Sequence, residues 1–270
     1  MSSSHFKGDD HIYWCYQQAV QSPEVDVRFY RRFFKKHVGR DPRTFREDFC
    51  GTHILCVEWV RLNQKNIAYG IDIDPFPIRW GIKHNQARLN EQQRKRIIIF
   101  QGNVKAKKIV PTDIVVAANF SYFVFKERSV LLRYFKNVRE SIKKDGLFFL
   151  DTFGGEGVLT PNVEKRRVGS FWYYWEQKSF NVINHHAQFA IHFRWKNRWY
   201  RNAFTYDWRL WTLPELQDCL LEAGFSSVVV LWEGTTRNGE GNGVFRPTRR
   251  AASCESWVAY LVASPQQGLF

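Results

Sequence analysis

The sequence has no long apolar run: none of its apolar stretches approaches the roughly 20 residues that a membrane-spanning helix needs. Its first residues, 1–10, also lack the apolar stretch of a secretory signal. The cysteines number only five, are scattered and form no C-x-x-C pair, a usage typical of reduced thiols in a cytosolic protein. We therefore expect a cytoplasmic protein without a membrane partner.

Metal-ligand patterns are also missing. His185, His186 and His192 lie close together in the sequence, but no cysteine or carboxylate falls at the spacing of a ligand set. Solvated positions on strands explain these histidines more simply. We expect no metal ion.

Acidic residues are scarce: 26 aspartates and glutamates face 40 lysines and arginines, which leaves a net charge of +14. The densest basic stretch, residues 28–46, has eight cations and a single acid, Asp41. Apolar residues recur between the cations on one side, which predicts an amphipathic helix: Val27, Phe29, Tyr30, Phe33 and Phe34. Its cationic face is either a surface for nucleic acid or another polyanion, or a solvated face. The position of the aromatics on the packed side favours the solvated face.

Short apolar strands alternate with helical periodicity over residues 44–153. We expect strands at 44–49, 67–72, 97–100, 113–118 and 147–151, and helices at 56–62, 75–90 and 127–143. The pattern resumes with a helix from the N-cap Thr212 to Gly224, followed by strands at 227–232 and 256–263. This alternation predicts an α/β fold with a doubly wound, Rossmann-like sheet of seven strands.

Residues 154–211 interrupt the alternation. The stretch 171–211 has 15 aromatic residues, six of them tryptophan. Residues 191–195 and 204–208 alternate large apolar with polar side chains, which is typical of antiparallel strands with one solvated face, and Lys196-Asn197 is a turn candidate between two such strands. The pattern predicts a β-rich insert after the fifth strand. The glycine- and arginine-rich loop at 234–250 is either a lid over a substrate or a plain loop.

Four polar segments follow the predicted strands: E-D-F-C-G-T-H at 47–53, G-I-D-I-D-P at 70–75, Q-G-N-V at 101–104 and N-F-S-Y at 119–122. Ligands of open α/β sheets bind at the carboxyl ends of the strands, where these segments would meet. Asp72 directly follows an apolar strand, so its carboxylate can accept both hydroxyls of a ribose, whereas Asp74 suits the N-cap of the helix that begins at Pro75. An N-cap role for Asp72 remains the alternative.

In this order the four segments resemble the class I S-adenosylmethionine (SAM)-dependent methyltransferases. The likeness covers residues 44–153, and 213–263 is similar to the last helix and antiparallel strand pair of that fold. The stretches R-E-D-F-C-G-T and A-F-T-Y-D-W-R-L-W-T-L-P-E-L resemble a mostly uncharacterised group within the superfamily.

The resemblance implies a domain organisation. The SAM-binding domain would comprise 44–153 and 212–264, with a mostly parallel sheet and an antiparallel last strand. The helical segment 1–43 would cover the cofactor site, and the insert 154–211 would form an acceptor lid.

The resemblance also implies site residues. Glu47, or Asp48 in its place, would hold the ammonium group of SAM, and the backbone after Gly51 would face its carboxylate. Phe49 and His53 stand where the family has two further glycines, and Asn103 stands where it usually has aspartate. The implied cofactor-binding residues are Glu47, Asp48, Gly51, Asp72, Ile73, Asn103, Val104 and Asn119.

Asn119 and Tyr122 would lie next to the transferring methyl group. Trp175, Tyr206 and Trp211 are the candidates for acceptor contacts within the insert, unless the aromatic residues there only pack the insert on the sheet or form a dimer contact.

The implied function is methyl transfer from SAM to a nitrogen or oxygen of a small-molecule acceptor. Two other classes remain open. One is an RNA- or DNA-directed methyltransferase, which the positive charge and the aromatic residues favour. The other is a non-catalytic SAM-binding or scaffold protein, which Phe49, His53 and Asn103 favour.

Overall fold

A computed structural model describes residues 10–105 and 110–270, so residues 1–9 of the expected segment 1–43 lie outside it. The helices are α1 (Asp10–Val20), α2 (Pro23–Val38), α3 (Ile54–Leu62), α4 (Pro75–His84), α5 (Glu91–Arg94), α6 (Arg128–Glu140) and α7 (Leu213–Glu222). The strands are β1 (Thr44–Asp48), β2 (Ile67–Asp72), β3 (Ile97–Gln101), β4 (Thr112–Ala117), β5 (Ile142–Gly154), β6 (Asn162–Val168), β7 (Phe171–Phe180), β8 (His186–Trp195), β9 (Arg198–Arg209), β10 (Ser227–Thr235), β11 (Gly241–Pro247) and β12 (Trp257–Ser264). Within the described ranges, no helix is long and apolar enough to span a bilayer.

The larger sheet has the strand order β11-β10-β12-β5-β4-β1-β2-β3. The five strands from β5 to β3 pair in parallel, and β12 lies antiparallel between β5 and β10. The expected α/β fold with a mostly parallel sheet and an antiparallel last strand is therefore confirmed. The expected number of seven strands is wrong, because the sheet has eight.

The additional strand is β11, which lies in the stretch predicted as a loop. Its side chains are mostly exposed, so no apolar run marks it, and backbone pairing with β10 holds it in place. Phe245 adds one anchor by packing on Tyr260, with ring centroids 4.8 Å apart. Because β11 forms the edge of the sheet opposite to β3, the structure does not support the interpretation of this segment as a lid over the ends of β1 to β3.

The boundary between α6 and β5 also differs from the prediction. The Asp145-Gly146 pair, which follows the expected helix 127–143, lies inside β5, where the register with β4 shifts. The helix ends earlier, at Glu140, where the Ser141 hydroxyl donates to the carbonyl of Asn137 at 2.7 Å. Arg40 binds Asp145 through its Nε at 2.8 Å, which fixes the irregular turn within the strand.

Apolar clusters cover both faces of the larger sheet. One cluster joins α2 and α3 to the sheet around Tyr30, Phe45 and Trp59. The other joins α1, α6 and α7 to the opposite face and continues into the insert through residues such as Phe189 and Trp208. The insert consequently belongs to the same core as the sheet.

The insert forms a second sheet with the order β6-β7-β8-β9. The expected turn at Lys196-Asn197 joins β8 to β9, and both residues have positive φ, as a two-residue hairpin turn of type I′ requires. One face of this sheet is buried and the other is solvated, in agreement with the alternation in the sequence.

A buried carboxylate at the start of β4 connects three elements. Asp113 accepts the backbone N–H groups of Arg43 and Thr44, each at 2.8 Å. Its other oxygen binds the side chains of Arg40 at 2.6 Å and Lys143 at 3.0 Å. Burial alone would raise the pKa of Asp113, but these donors outweigh burial and lower the pKa to about 2.

We predict that Asp113→Asn lowers the free energy of unfolding at neutral pH by about 1–3 kcal/mol, because the amide nitrogen replaces the oxygen that accepts from Arg40 and Lys143, and the negative charge between the two cations is lost. A carboxylate with a lowered pKa contributes stability above its unfolded pKa and loses it as the pH falls. Urea denaturation of both proteins at neutral pH and near pH 3 should therefore show a difference that shrinks on acidification. A difference of equal size at both pH values would contradict this role.

Candidate active site

A cavity of about 280 Å³ opens at the carboxyl ends of β1 to β4. Segments from three parts of the chain form its wall: the loops after these strands, helix α1 and strand β9 of the insert. The loops contribute Gly51, Asp72, Ile73, Asn103, Val104, Asn119 and Ser121, α1 contributes Tyr13 and Tyr16, and β9 contributes Phe204 and Trp208. The cavity therefore lies where ligands of open α/β sheets bind.

The loop after β1 has the backbone of a glycine-rich turn with only one glycine. Phe49, Gly51 and His53 have φ values of 60°, 50° and 45°. A positive φ at a residue other than glycine costs on the order of 1–3 kcal/mol and persists only where surrounding contacts enforce it. These are the three positions at which the resemblance implies glycines, so the loop keeps the conformation although two of the glycines are replaced.

The side chains of Phe49 and His53, which replace the two glycines, lie in different places. The Phe49 ring lines the cavity and packs on Tyr134, with ring centroids 5.8 Å apart. His53 is fully buried outside the cavity wall, and its Nε2 lies 3.1 Å from the Gln86 side chain. The imidazole fits there because Gly81 lacks a side chain: a Cβ on Gly81 would lie 2.4 Å from the ring. His53 therefore does not narrow the cavity, and burial lowers its pKa to about 4, which keeps it neutral.

Asp72 lies at the end of β2 and lines the cavity. Its Oδ2 accepts the N–H of Gly51 at 2.7 Å, and its Oδ1 accepts the N–H of Asp74 at 2.9 Å. Each oxygen retains a lone pair, so the carboxylate can still accept two hydroxyls. Burial raises its pKa, against the effect of the two N–H donors. The N-cap of α4 is Asp74, which accepts the N–H of Phe76 at 2.9 Å.

Asn103 and Val104 follow β3 and also line the cavity. The Asn103 Oδ1 accepts the N–H of Lys105 at 2.9 Å, which is the hydrogen bond of a local turn. The amide nitrogen of Asn103 and the second lone pair of its oxygen stay available to a ligand. The structural and the ligand-binding interpretations of this residue are thus compatible.

The loop after β4 is held by a carboxylate that sequence reasoning missed. Asp151 of β5 accepts the N–H groups of Asn119 at 2.8 Å and of Phe120 at 2.9 Å. Both of these residues have positive φ, 57° and 56°. Asp151 is 9% exposed, and burial raises its pKa to about 7, although the two N–H donors lower it. The only signal in the sequence is an acid at the end of an apolar strand, the signal that identified Asp72.

We predict that Asp151 makes stability fall as the pH rises. Because its pKa is raised, the folded protein retains a proton that the unfolded chain has already released above about pH 4, and this stabilising effect disappears as the pH passes 7. Between pH 5 and pH 8 the protein should lose about 2–3 kcal/mol of unfolding free energy relative to Asp151→Asn.

Guanidinium denaturation at both pH values measures this loss. The exposed carboxylate of Asp207 provides a matched control, since Asp207→Asn should leave the pH dependence as it is in the parent protein. An Asp151→Asn protein with the parent pH dependence would show that this carboxyl group does not titrate in this range.

Helix α1 closes one side of the cavity. The Gln17 side chain donates to the hydroxyl of Thr52 at 2.6 Å, which ties the helix to the loop after β1. Tyr13 packs on Trp80 of α4, with ring centroids 5.9 Å apart, and Tyr16 packs on Phe204 of the insert at 4.8 Å. The Tyr16 hydroxyl is hydrogen-bonded to Tyr206, and burial raises the pKa of Tyr16, so it is a neutral phenol.

Phe204 and Trp208 bring the insert to the same cavity as Asp72 and Asn119. The aromatic residues that the sequence analysis selected in the insert lie behind this wall. Trp175 stacks on Phe189 with ring centroids 5.0 Å apart, and Tyr206 packs on Trp208 at 4.3 Å. Trp211 is buried and donates its indole N–H to the carbonyl of Phe125 at 3.0 Å. None of these three residues lines the cavity, whereas Phe204 and Trp208 of the same insert do.

Three other candidates also lie outside the cavity wall. Glu47 points toward α3, where its carboxylate accepts the thiol of Cys56 at 3.5 Å. Asp48 lies on the opposite face of β1 in a buried ion pair with Arg46, and the hydroxyl of Tyr134 donates to it at 2.9 Å. Tyr122 is fully buried and donates to the carbonyl of Asp151 at 2.9 Å. The alternation along β1 explains the split between Glu47 and Asp48, because successive side chains point to opposite faces.

Comparison with solved structures gives matches over nearly the whole chain. An S-adenosylmethionine-dependent methyltransferase from Clostridium acetobutylicum is similar with a TM-score of 0.65 and 15% identity, over 95% of this chain and 99% of that one. The sugar N-methyltransferase KedS8 from a Streptoalloteichus species has a TM-score of 0.64 and 11% identity, over 99% and 96%. SAM-bound CalS10, an amino pentose methyltransferase from Micromonospora echinaspora, has a TM-score of 0.63 and 10% identity, over 92% of this chain and 95% of that one.

The chain has the class I methyltransferase fold. The matches cover the insert as well as the sheet, because each spans more than nine tenths of this chain. No protein-family model and no curated protein sequence matches the chain.

Proposed function

We infer that this protein is a SAM-dependent methyltransferase that acts on a small-molecule acceptor. The observation that carries the proposal is the composite cavity, in which Asp72, Asn103 and Asn119 at the ends of β2, β3 and β4 face an aromatic wall from α1 and β9. Polar groups on the sheet side and apolar groups on the opposite side suit a nucleoside cofactor beside a small acceptor.

The adenine, the ribose and the methionine carboxylate of SAM each have a matching group in the wall. Asp72 would accept the ribose hydroxyls, Asn103 and Val104 would contact the adenine, and the backbone after Gly51 would face the methionine carboxylate at the start of α3. Ile73, which is 66% exposed, would cover the ribose side. Glu47 and Asp48 would not bind the ammonium group, because neither lines the cavity.

When bound, SAM supplies an electrophilic methyl group on its sulfonium. The protein's own contribution is to position the two reactants and to exclude water. Asn119 and Ser121, in the loop after β4, contribute polar groups to the wall. Phe204 and Trp208 of the insert contribute aromatic rings to it. Aromatic faces also favour the cationic sulfonium.

A nitrogen acceptor fits the described wall better than an oxygen acceptor. No histidine or lysine lines the described part of the cavity, and Tyr16 remains protonated. A hydroxyl acceptor needs a base to remove its proton, whereas a free amine already has a nucleophilic lone pair. Solved structures of similar fold include a sugar N-methyltransferase and a glycopeptide N-methyltransferase, so amino sugars are the first acceptors to test.

We predict that Asp72→Ala weakens SAM binding by about 1–3 kcal/mol, because the ribose hydroxyls lose their acceptor. Isothermal titration calorimetry measures the affinity. Asp218→Ala is the control: it removes an exposed carboxylate on α7 that lies outside the cavity. Equal affinity of the parent and Asp72→Ala would refute the ribose assignment, and the absence of SAM binding to the parent would refute the proposed function.

We further predict that Trp208→Phe raises the KM for the acceptor about tenfold with little change in SAM affinity, because the smaller ring fills the acceptor side less well. Turnover of SAM with a panel of amino sugars provides the assay. Trp211→Phe is the matched control, since Trp211 is equally buried but lies outside the cavity. SAM binding without turnover on any amine or hydroxyl acceptor would favour the non-catalytic alternative.

A further inference from the structure

The solvated face of the insert sheet carries a row of alternating cations and aromatic rings. Arg167 of β6 pairs with Trp172 of β7, Trp172 pairs with Arg194 of β8, and Arg194 pairs with Trp199 of β9. Directly paired residues of antiparallel strands have their side chains on the same face, so these four form one row across all four strands. We call this row and its neighbours Lys165, Tyr174 and Arg201 the cationic–aromatic face.

Contacts within the face show that cations and rings are interleaved. The Arg201 guanidinium lies 4.6 Å from the centroid of the Trp199 ring, and the Lys165 ammonium lies 5.2 Å from that of Trp172. Tyr174 packs on Trp199 with ring centroids 4.9 Å apart. Trp199 remains 36% exposed, and Lys165, Arg167, Arg194 and Arg201 are all exposed. Exposed positive charges thus alternate with large rings, of which Trp199 is the most accessible.

The basic stretch at 28–46 has a different construction. Its aromatics Tyr30, Phe33 and Phe34 are buried under α2, and several of its cations are bound within the fold. Arg31 pairs with Asp41 at 2.9 Å, and Arg46 is buried beside Asp48. That surface has charge without exposed rings, whereas the insert presents both together. The aromatic content of the insert therefore serves two surfaces, the cavity wall on one side and this face on the other.

We propose that the cationic–aromatic face binds single-stranded RNA. Exposed rings stack on unpaired bases, and cations between them contact the phosphates, a combination that single-stranded nucleic-acid sites use on four-stranded sheets. A duplex hides its bases, and an acidic polypeptide has no bases to stack. Glu176 lies two residues beyond Tyr174 on the same face, and its Oε2 is bound by His192 at 2.9 Å and Lys178 at 3.6 Å. Its other oxygen can accept a ribose 2′-hydroxyl, which selects RNA over DNA.

The face is separate from the cavity. Phe204 and Trp208, which line the cavity, belong to the opposite, buried face of the same sheet. RNA on the cationic–aromatic face is therefore a partner that the insert holds and not the acceptor of the methyl group. Binding requires no SAM, so the proposal stands or falls independently of the proposed function.

Fluorescence anisotropy of the full chain with a labelled single-stranded oligouridylate of about 12 nucleotides tests the proposal. Trp199→Ala and Trp172→Ala should each weaken binding about fivefold or more, while Trp199→Phe keeps most of the affinity because the ring remains. In Arg194→Gln/Arg201→Gln, the slope of log affinity against log salt concentration should become shallower by about 1–2. Thermal unfolding shows that the variants are folded.

The matched control is Arg32→Gln/Lys36→Gln, which removes the same charge from exposed positions on α2. An equal loss of binding in this control, or no loss in Trp199→Ala, would show only general attraction between opposite charges and would overturn the proposal. Binding of a duplex RNA, of single-stranded DNA of equivalent sequence or of polyglutamate as tightly as the oligouridylate would also overturn it, in favour of another polyanion.

Discussion

Two carboxyl groups at strand ends, Asp72 and Asp151, hold the two strained loops on which the cavity depends. Asp72 accepts the N–H of Gly51 in the loop after β1, and Asp151 accepts two consecutive N–H groups in the loop after β4. In both cases the acid comes from a neighbouring strand, so the sheet itself sets the distance. Left-handed residues other than glycine are costly, and these acceptors offset that cost in the loops that line the cavity. The loops after β1 and β4 are thereby held in a fixed conformation at the edge of the sheet.

The apolar side of the cavity depends on parts of the chain far apart in sequence. Tyr16 of α1 and Phe204 of β9 meet ring to ring, and the side chain of Arg166 on β6 donates to the carbonyl of Ala19 at the end of α1. The helix and the insert thus support each other above the sheet. Under the proposed function, a wall of this kind could change its lining residues without altering the sheet that would carry the cofactor groups, so the choice of acceptor would be separate from cofactor binding.

The sequence was sufficient for the parts that depend on local pattern. Alternating apolar strands predicted the parallel sheet, and an acid at the end of a strand predicted the position of Asp72. The failures involve side-chain direction and long-range contacts. Strand β11 has too few apolar residues to be seen, and only the fold shows that Trp175 and Trp211 point away from the cavity while Trp208 lines it. Sequence spacing also could not show that Gly81 makes room for His53.

The position of β12 has a consequence for the order in which the chain can fold. This strand comes last in sequence but lies between β5 and β10, so the β10–β11 hairpin cannot join the rest of the sheet before β12 is available. During synthesis, the backbone groups at the edges of β5 and β10 would stay unpaired until β12 is made. Unpaired strand edges are prone to pair with other chains. Completion of the sheet is therefore a late event, and a nascent chain that stalls before residue 257 would be prone to aggregate.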